Sequence, residues 1–199
     1  MSAPESMEHA EHAEHASGSN RNIALLIAVI ALFLALSEML GKSAQTESIS
    51  KNVAASHLGA FCQAKSIRRT QIQTAAEQGK LTLGTTTDEA AKAALAKQID
   101  TWDKTAARYR NEPETGEGSE QLAKRAKEAE TARDVATDKY HHYEYASAMF
   151  QIAIVLASAT IITGMVWLAL LSGALLLTGI AMTGFGMFWP HLLHVLHLH

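Results

Sequence analysis

Two sets of evenly spaced histidines are the residues in this chain best placed to do chemistry. His9, His12 and His15 recur inside a tripeptide repeat, Glu8 to Ala16, and His191, His194 and His197 recur near the C-terminus. Residues three apart share a helix face, so each set could present neighbouring imidazoles to a divalent metal. A plainer reading fits both better. The N-terminal repeat is a solvated low-complexity tail, kept acidic by Glu5, Glu8, Glu11 and Glu14, with Ser19 or Asn20 capping the next helix. The C-terminal set belongs to an amphipathic interfacial end, whose charge rises below about pH 6.5. His141 and His142 are adjacent, point in different directions on a helix and make a poor metal pair. No metal ligand is therefore assigned.

Other chemical signals are weaker. Gly41-Lys42-Ser43 imitates the end of a phosphate-binding loop, but the glycine that motif needs five residues earlier is Leu36. Cys62 is the single cysteine, so no intrachain disulfide can form, and a buried thiol is the expected state. Glu38 is either an intramembrane carboxylate or, one turn from Lys42, half of an interfacial ion pair; the pair is preferred. There is no nucleophile and base pattern and no glycine-rich cofactor loop. The expectation is a non-enzymatic protein with no catalytic residue and no cofactor.

The elements around these residues are membrane elements. Met149 to Trp189 contains no Asp, Glu, Lys or Arg. One helix of that length would be about twice the ~30 Å hydrocarbon core, so the run must fold back. Two spans are expected, about 149–168 and 173–190, turning at Leu170-Leu171-Ser172-Gly173. Small residues four apart, Ala153 with Ala157, Thr160 with Gly164 and Gly179 with Thr183, would let these helices pack closely. Trp167 and Trp189 mark opposite interfaces, and Tyr140 to Tyr145 forms an aromatic belt at the entry. Nearer the N-terminus, Ile23 to Leu36 is apolar and gives a first span over 22–40 after a polar tail, 1–21. A cleaved signal peptide is the competing reading. The stretch before it carries one Arg and several Glu, which argues for a retained helix.

Between the spans, 41–148 reads as a helical polar domain with helices at about 42–78, 88–110 and 119–148. The third helix continues into the membrane, and 191–199 follows as the His-rich tail. Within the first helix, apolar residues fall in two narrow lines, Ile49-Val53-Ala60-Ile67 and Ala54-Leu58-Phe61-Ile72, which suits a helix touching two neighbours. Gly79 to Thr87 breaks the pattern, and Thr87 or Asp88 caps the second helix. Leu95-Ile99-Trp102-Ala106-Tyr109 steps by fours and threes, a coiled-coil-like seam that needs a partner. Asn111 to Gly118, with Pro113 and two glycines, is the expected tip. Every Lys and Arg except Arg21 lies between Lys42 and Lys139, nearly matched by acidic residues, so nothing marks a nucleic-acid surface. Lys42, Lys51, Arg133 and Lys139 flank the spans, placing the middle domain in the cytoplasm and the N-terminus outside.

Phe61-x-Gln63-Ala64-Lys65-x-x-Arg68 after a first span, with Tyr140 to Ala153 leading into a terminal hairpin, resembles an uncharacterised family of small bacterial membrane proteins known only as a domain of unknown function. The resemblance covers about Asn22 to Trp189 and implies an all-α, three-span protein of the bacterial inner membrane. It brings no catalytic or ligand residues; Phe61, Gln63, Ala64, Lys65 and Arg68 stand as a family-like motif without an assigned role. The favoured function is structural. The middle helices bury too little alone, so the chain is expected to oligomerise or to dock on a larger membrane complex. The alternative is an oligomeric channel or transporter accessory subunit, with Ser158, Thr160, Thr163, Thr178 and Thr183 toward a lumen and possible metal handling by the His-rich tails.

Overall fold

A computed structural model describes residues 3–190, and side chains from 21 to 190. The side chains of His9, His12 and His15, and the whole set His191, His194 and His197, lie outside the described residues. Those residues are all-α, without a strand: α1 (Ala3–Thr85), α2 (Glu89–Arg110), α3 (Ser119–Thr163) and α4 (Val166–Phe188). α1, α3 and α4 each contain a stretch long and apolar enough to cross a membrane. The helix of α1 runs through Ser19 and Asn20, so neither serves as an N-cap. The chain divides into two compact units, one of residues up to Ser48 with those from Asp134 onward, the other Ile49–Arg133.

In the first unit α1, α3 and α4 pack around Ile30, Ala146, Phe150, Ala153 and Leu176. Phe33 tilts against Phe150 with ring centroids 6.1 Å apart. Two buried serines tie helix to helix: Ser37 Oγ donates to the Tyr143 carbonyl at 3.0 Å and Ser172 Oγ to the Ala153 carbonyl at 2.7 Å. The hairpin turns at Gly164-Met165, not at 170–173. Gly164 adopts a positive φ of 69°, which only glycine takes cheaply, and Thr163 Oγ1 accepts from the Met165 N–H at 3.3 Å. Ser172 and Gly173 instead lie inside α4, where the serine is consumed by its interhelical bond. The 23 residues of α4 give about 34 Å of helix, enough for the ~30 Å core; an arm confined to 173–190 would give only about 27 Å. Outward-facing Leu25, Leu32, Val155, Ile162, Leu170 and Leu177 are exposed, as lipid contact requires.

In the second unit α2 and the start of α3 follow one another along α1. A Cβ at Gly79 would stand 3.1 Å from Ile99 and 3.3 Å from Trp102, and Cys62 Sγ lies 3.3 Å from the Ser119 carbonyl. Arg133 reaches Asn52 at 3.4 Å. The α2 seam therefore finds its partner in α1, and Ile99 and Ala106 are buried there. Asp88 caps α2, its carboxylate accepting from Ala90 N and Ala91 N at 3.3 Å each. Two expectations are corrected. Gly79 and Gly84 do not break α1, which continues to Thr85, because Gly79 admits the α2 side chains and Thr82, Thr85 and Thr86 bond back onto the helix. The tip of this unit is accordingly the short turn after Thr85. The 111–118 loop is a joint between α2 and α3, lying against the middle of α1.

α1 buries one line along this unit: Lys51, Ala55, Leu58, Cys62, Lys65, Arg69, Ile72, Ala76, Gly79 and Leu83 are buried or half-buried, in alternating steps of four and three. The second apolar line lends Leu58 and Ile72 to this face. The first line does not: Ile49, Val53 and Ile67 are 59%, 47% and 52% exposed.

Candidate functional site

The family-like motif splits at the joint. Lys65 occupies an inward position of α1 that a core residue would normally fill, and it is 8% exposed. Its ammonium lies 3.7 Å from Glu112 Oε2 and 3.6 Å from Glu117 Oε2. The rings of Phe61 and Tyr109 stand on either side, 5.5 and 5.3 Å from the ammonium to their centroids. A buried cation needs such company, because burial without charge partners is costly. The loop is shaped to deliver the two carboxylates: Pro113 follows Glu112, Gly116 takes a positive φ of 69°, and Gly118 packs where a Cβ would meet the Glu112 N–H and the Arg110 carbonyl. Arg110 Nε holds Glu120 at 2.7 Å across the joint, and Gln121 bonds both Asn111 Oδ1 and the Glu112 N–H. What this arrangement does chemically is lock α2 and α3 in register on α1.

Gln63, Ala64 and Arg68 are not brought to that joint; all three are exposed. Gln63 lines a surface groove of about 530 Å³ with Ser66, Ile67, Thr70, Gln71 and Thr74. The motif is thus split across one helix: Lys65 faces inward with the 41% exposed Phe61 ring at its flank, and Gln63, Ala64 and Arg68 lie on the outward face. Sequence reasoning missed Glu112, Glu117 and Tyr109 as partners of Lys65 in this clamp. The available signal was the loop itself, whose Glu112, Glu114 and Glu117 come with no basic residue and so call for a cation from elsewhere; nothing in the α1 line singles out Lys65 from Lys51 and Arg69.

A second constellation lies in the other unit, just before the apolar part of α3. His142 is fully buried, and its Nε2 stands 3.1 Å from the Pro190 carbonyl beyond α4. A carbonyl only accepts, so Nε2 carries the proton and donates, leaving Nδ1 as an acceptor without a partner among the described residues. Burial therefore pushes the His142 pKa below its ordinary value, against smaller opposite contributions from the Pro190 bond and Asp138, with His141 adding to the depression. Gly186 makes room for this packing, since a Cβ there would stand 2.8 Å from His142 Cβ. His141 points elsewhere, exposed and 3.6 Å from Glu144.

The hydroxyls of the hairpin are engaged locally. Ser158, Thr160, Thr163, Thr178 and Thr183 each donate to the carbonyl four residues earlier, at 2.8 to 3.0 Å. No group of three or more His, Cys, Asp or Glu side chains among the described residues is placed to hold a metal ion. Cys62 is half-buried and donates to the Ser119 carbonyl.

Residues 19–189 match the family described as Domain of unknown function (DUF4337), and the chain belongs to that family. It matches no curated protein and no solved structure.

Proposed function

We propose that this protein is a non-enzymatic scaffold of the bacterial inner membrane that self-associates through the outward face of α1 between Ile49 and Gln78. The observation that carries the reading is the unequal use of the two apolar lines. One line of α1 is covered by α2 and α3 of the same chain. The other, Ile49, Val53 and Ile67, is left exposed, and at about 100° per residue it shares a face with Ala60, Thr74 and Gln78. A line of β-branched residues beside a groove edged with Gln and Thr suits a helix from a second copy, with side-chain amides bonding across the contact. The engaged hydroxyls of the hairpin offer no support to a hydroxyl-lined channel. Lys42, Lys51, Arg133 and Lys139 flank the spans while the Gly164-Met165 turn has no basic residue, which favours a cytoplasmic middle region and an N-terminus outside.

The test is crosslinking in native membranes. With Cys62→Ser as background, Ile67→Cys should give a crosslinked dimer of this chain with a short bifunctional maleimide, whereas Arg108→Cys, on α2, should not. Monomer alone at position 67, or a crosslink to a different protein, would overturn the proposal of self-association.

A further inference from the structure

In the first unit a crevice of about 410 Å³ opens between α1 and α3, lined by Glu38, Lys42 and Gln45 on one side and by Tyr140, Ser147 and Gln151 on the other. We propose that it binds the phosphate and ammonium of an aminophospholipid headgroup, with Lys42 on the phosphate and Glu38 on the ammonium. The inference rests on membrane insertion of the three apolar segments and is independent of self-association.

Height is the first argument. The apolar run of α1 ends at Leu36, and that of α3 begins after Glu144, so the crevice sits where the hydrocarbon gives way to headgroups. The walls are fixed there. Ser37 Oγ holds the Tyr143 carbonyl, and Gly41 lets the helices close until a Cβ would stand 3.4 Å from Tyr143 Cβ.

Unused polar groups are the second argument. Glu38 and Lys42 stand one turn apart, the spacing of a helix ion pair. Among the described residues they form none, and both line the crevice instead, which corrects the expected pairing. Ser147 is only 8% exposed, and its hydroxyl has no partner among the described residues. The acceptor a helical serine ordinarily uses is the carbonyl four residues back, here that of Tyr143, and Ser37 has taken it. The Ser147 hydroxyl is thereby left toward the crevice as a donor for a phosphate or ester oxygen. Glu144 is less available, since Tyr140 Oη donates to it at 3.3 Å and His141 lies 3.6 Å away.

Charge selects the ligand. One lysine facing two carboxylates suits a zwitterion, whereas an anionic headgroup would meet repulsion from Glu38 and Glu144. Phosphate and primary amine together match both signs, and the Gln45 and Gln151 amides can bond the remaining oxygens. The volume falls within the range of small-ligand pockets, about 300–1,000 Å³.

The experiment uses the full chain, delipidated in detergent and titrated with dioctanoyl phosphatidylethanolamine, dioctanoyl phosphatidylglycerol or soluble glycerophosphoethanolamine, with adducts counted by native mass spectrometry. One phosphatidylethanolamine per chain should bind about tenfold more tightly than phosphatidylglycerol, the factor expected when about 1.4 kcal/mol separates the two. Lys42→Met and Glu38→Gln, both at exposed positions and checked for unchanged helix content, should each weaken that binding about tenfold; Glu38→Gln should also narrow the preference over phosphatidylglycerol. Equal binding of the two lipids, or unchanged binding by both variants, would overturn the site. Soluble glycerophosphoethanolamine binding as tightly as the lipid would overturn the assignment to a bilayer source.

Discussion

Replacing Lys65 by Met should loosen the joint between α2 and α3 while leaving α1 helical. Methionine keeps the apolar stem between the Phe61 and Tyr109 rings and removes the charge. Both ion pairs, at 3.6 and 3.7 Å, are longer than hydrogen bonds, so what is lost is electrostatic attraction. The Glu117 side chain is 53% exposed, which holds its pair to between 0 and about 1 kcal/mol. Glu112 is 19% exposed and would keep only the exposed Arg108, at 3.6 Å. Leaving that half-buried carboxylate poorly compensated costs about 1–2 kcal/mol, and the two ring contacts add about 0.5 kcal/mol each. The sum is roughly 2–4 kcal/mol, an increase of about 30- to 700-fold in local opening. Hydrogen exchange followed by mass spectrometry reads this directly, because the Gly116 and Leu122 amides are bonded within the joint. Their exchange should accelerate by that factor in Lys65→Met, and peptides from α4 should not change. Adding Glu112→Gln should restore part of the protection, with a coupling of about 1–2 kcal/mol. Acceleration below threefold, or no recovery in the double variant, would refute the clamp.

Three other outcomes follow from the packing. Gly179→Ala places a Cβ 2.5 Å from the Phe150 ring, so it should destabilise the hairpin by about 1–3 kcal/mol and lower the unfolding midpoint in detergent, with Phe150→Leu recovering part of the loss. Because burial lowers the His142 pKa, the unfolded state takes up its proton first. The contact to Pro190 is therefore intact above about pH 6.5, the ordinary histidine value, and weakens as the pH falls below it. Emission from Trp189, measured in a Trp102→Phe and Trp167→Phe background, should shift over that window and stay flat in His142→Phe. Ser172→Ala removes the bond to the Ala153 carbonyl and should cost about 1 kcal/mol in the same unfolding assay.

Where apolar residues occupied a helix seam, the sequence was readable. Leu95, Ile99 and Trp102 announced the face of α2, Asp88 its start, and Pro113 with two glycines the loop after it. The inward line of α1 was opaque because its positions hold Lys51, Cys62, Lys65, Arg69 and Gly79, and hydropathy shows no stripe there. Burial of those residues is set by partners distant in sequence, two acidic side chains for Lys65 and two α2 side chains for Gly79. The hairpin turn was misplaced for a related reason. Ser172-Gly173 has the composition of a turn, but that serine finds its acceptor on α3, and Gly164, flanked by Thr163 and Met165, supplies the positive φ. The shift decides what His142 touches. With the turn at 164–165 the end of α4 returns to the level of His142, and a residue expected in an aromatic belt becomes buried against Pro190.

The mass of the full chain in lipid nanodiscs, with Ile67→Glu beside the native protein, tests the central claim most directly. Self-association through the outward face of α1 predicts a defined homo-oligomer for the native chain and a monomer of unchanged helix content for the variant. A native chain that is monomeric, or an oligomer indifferent to a charge at position 67, would contradict it.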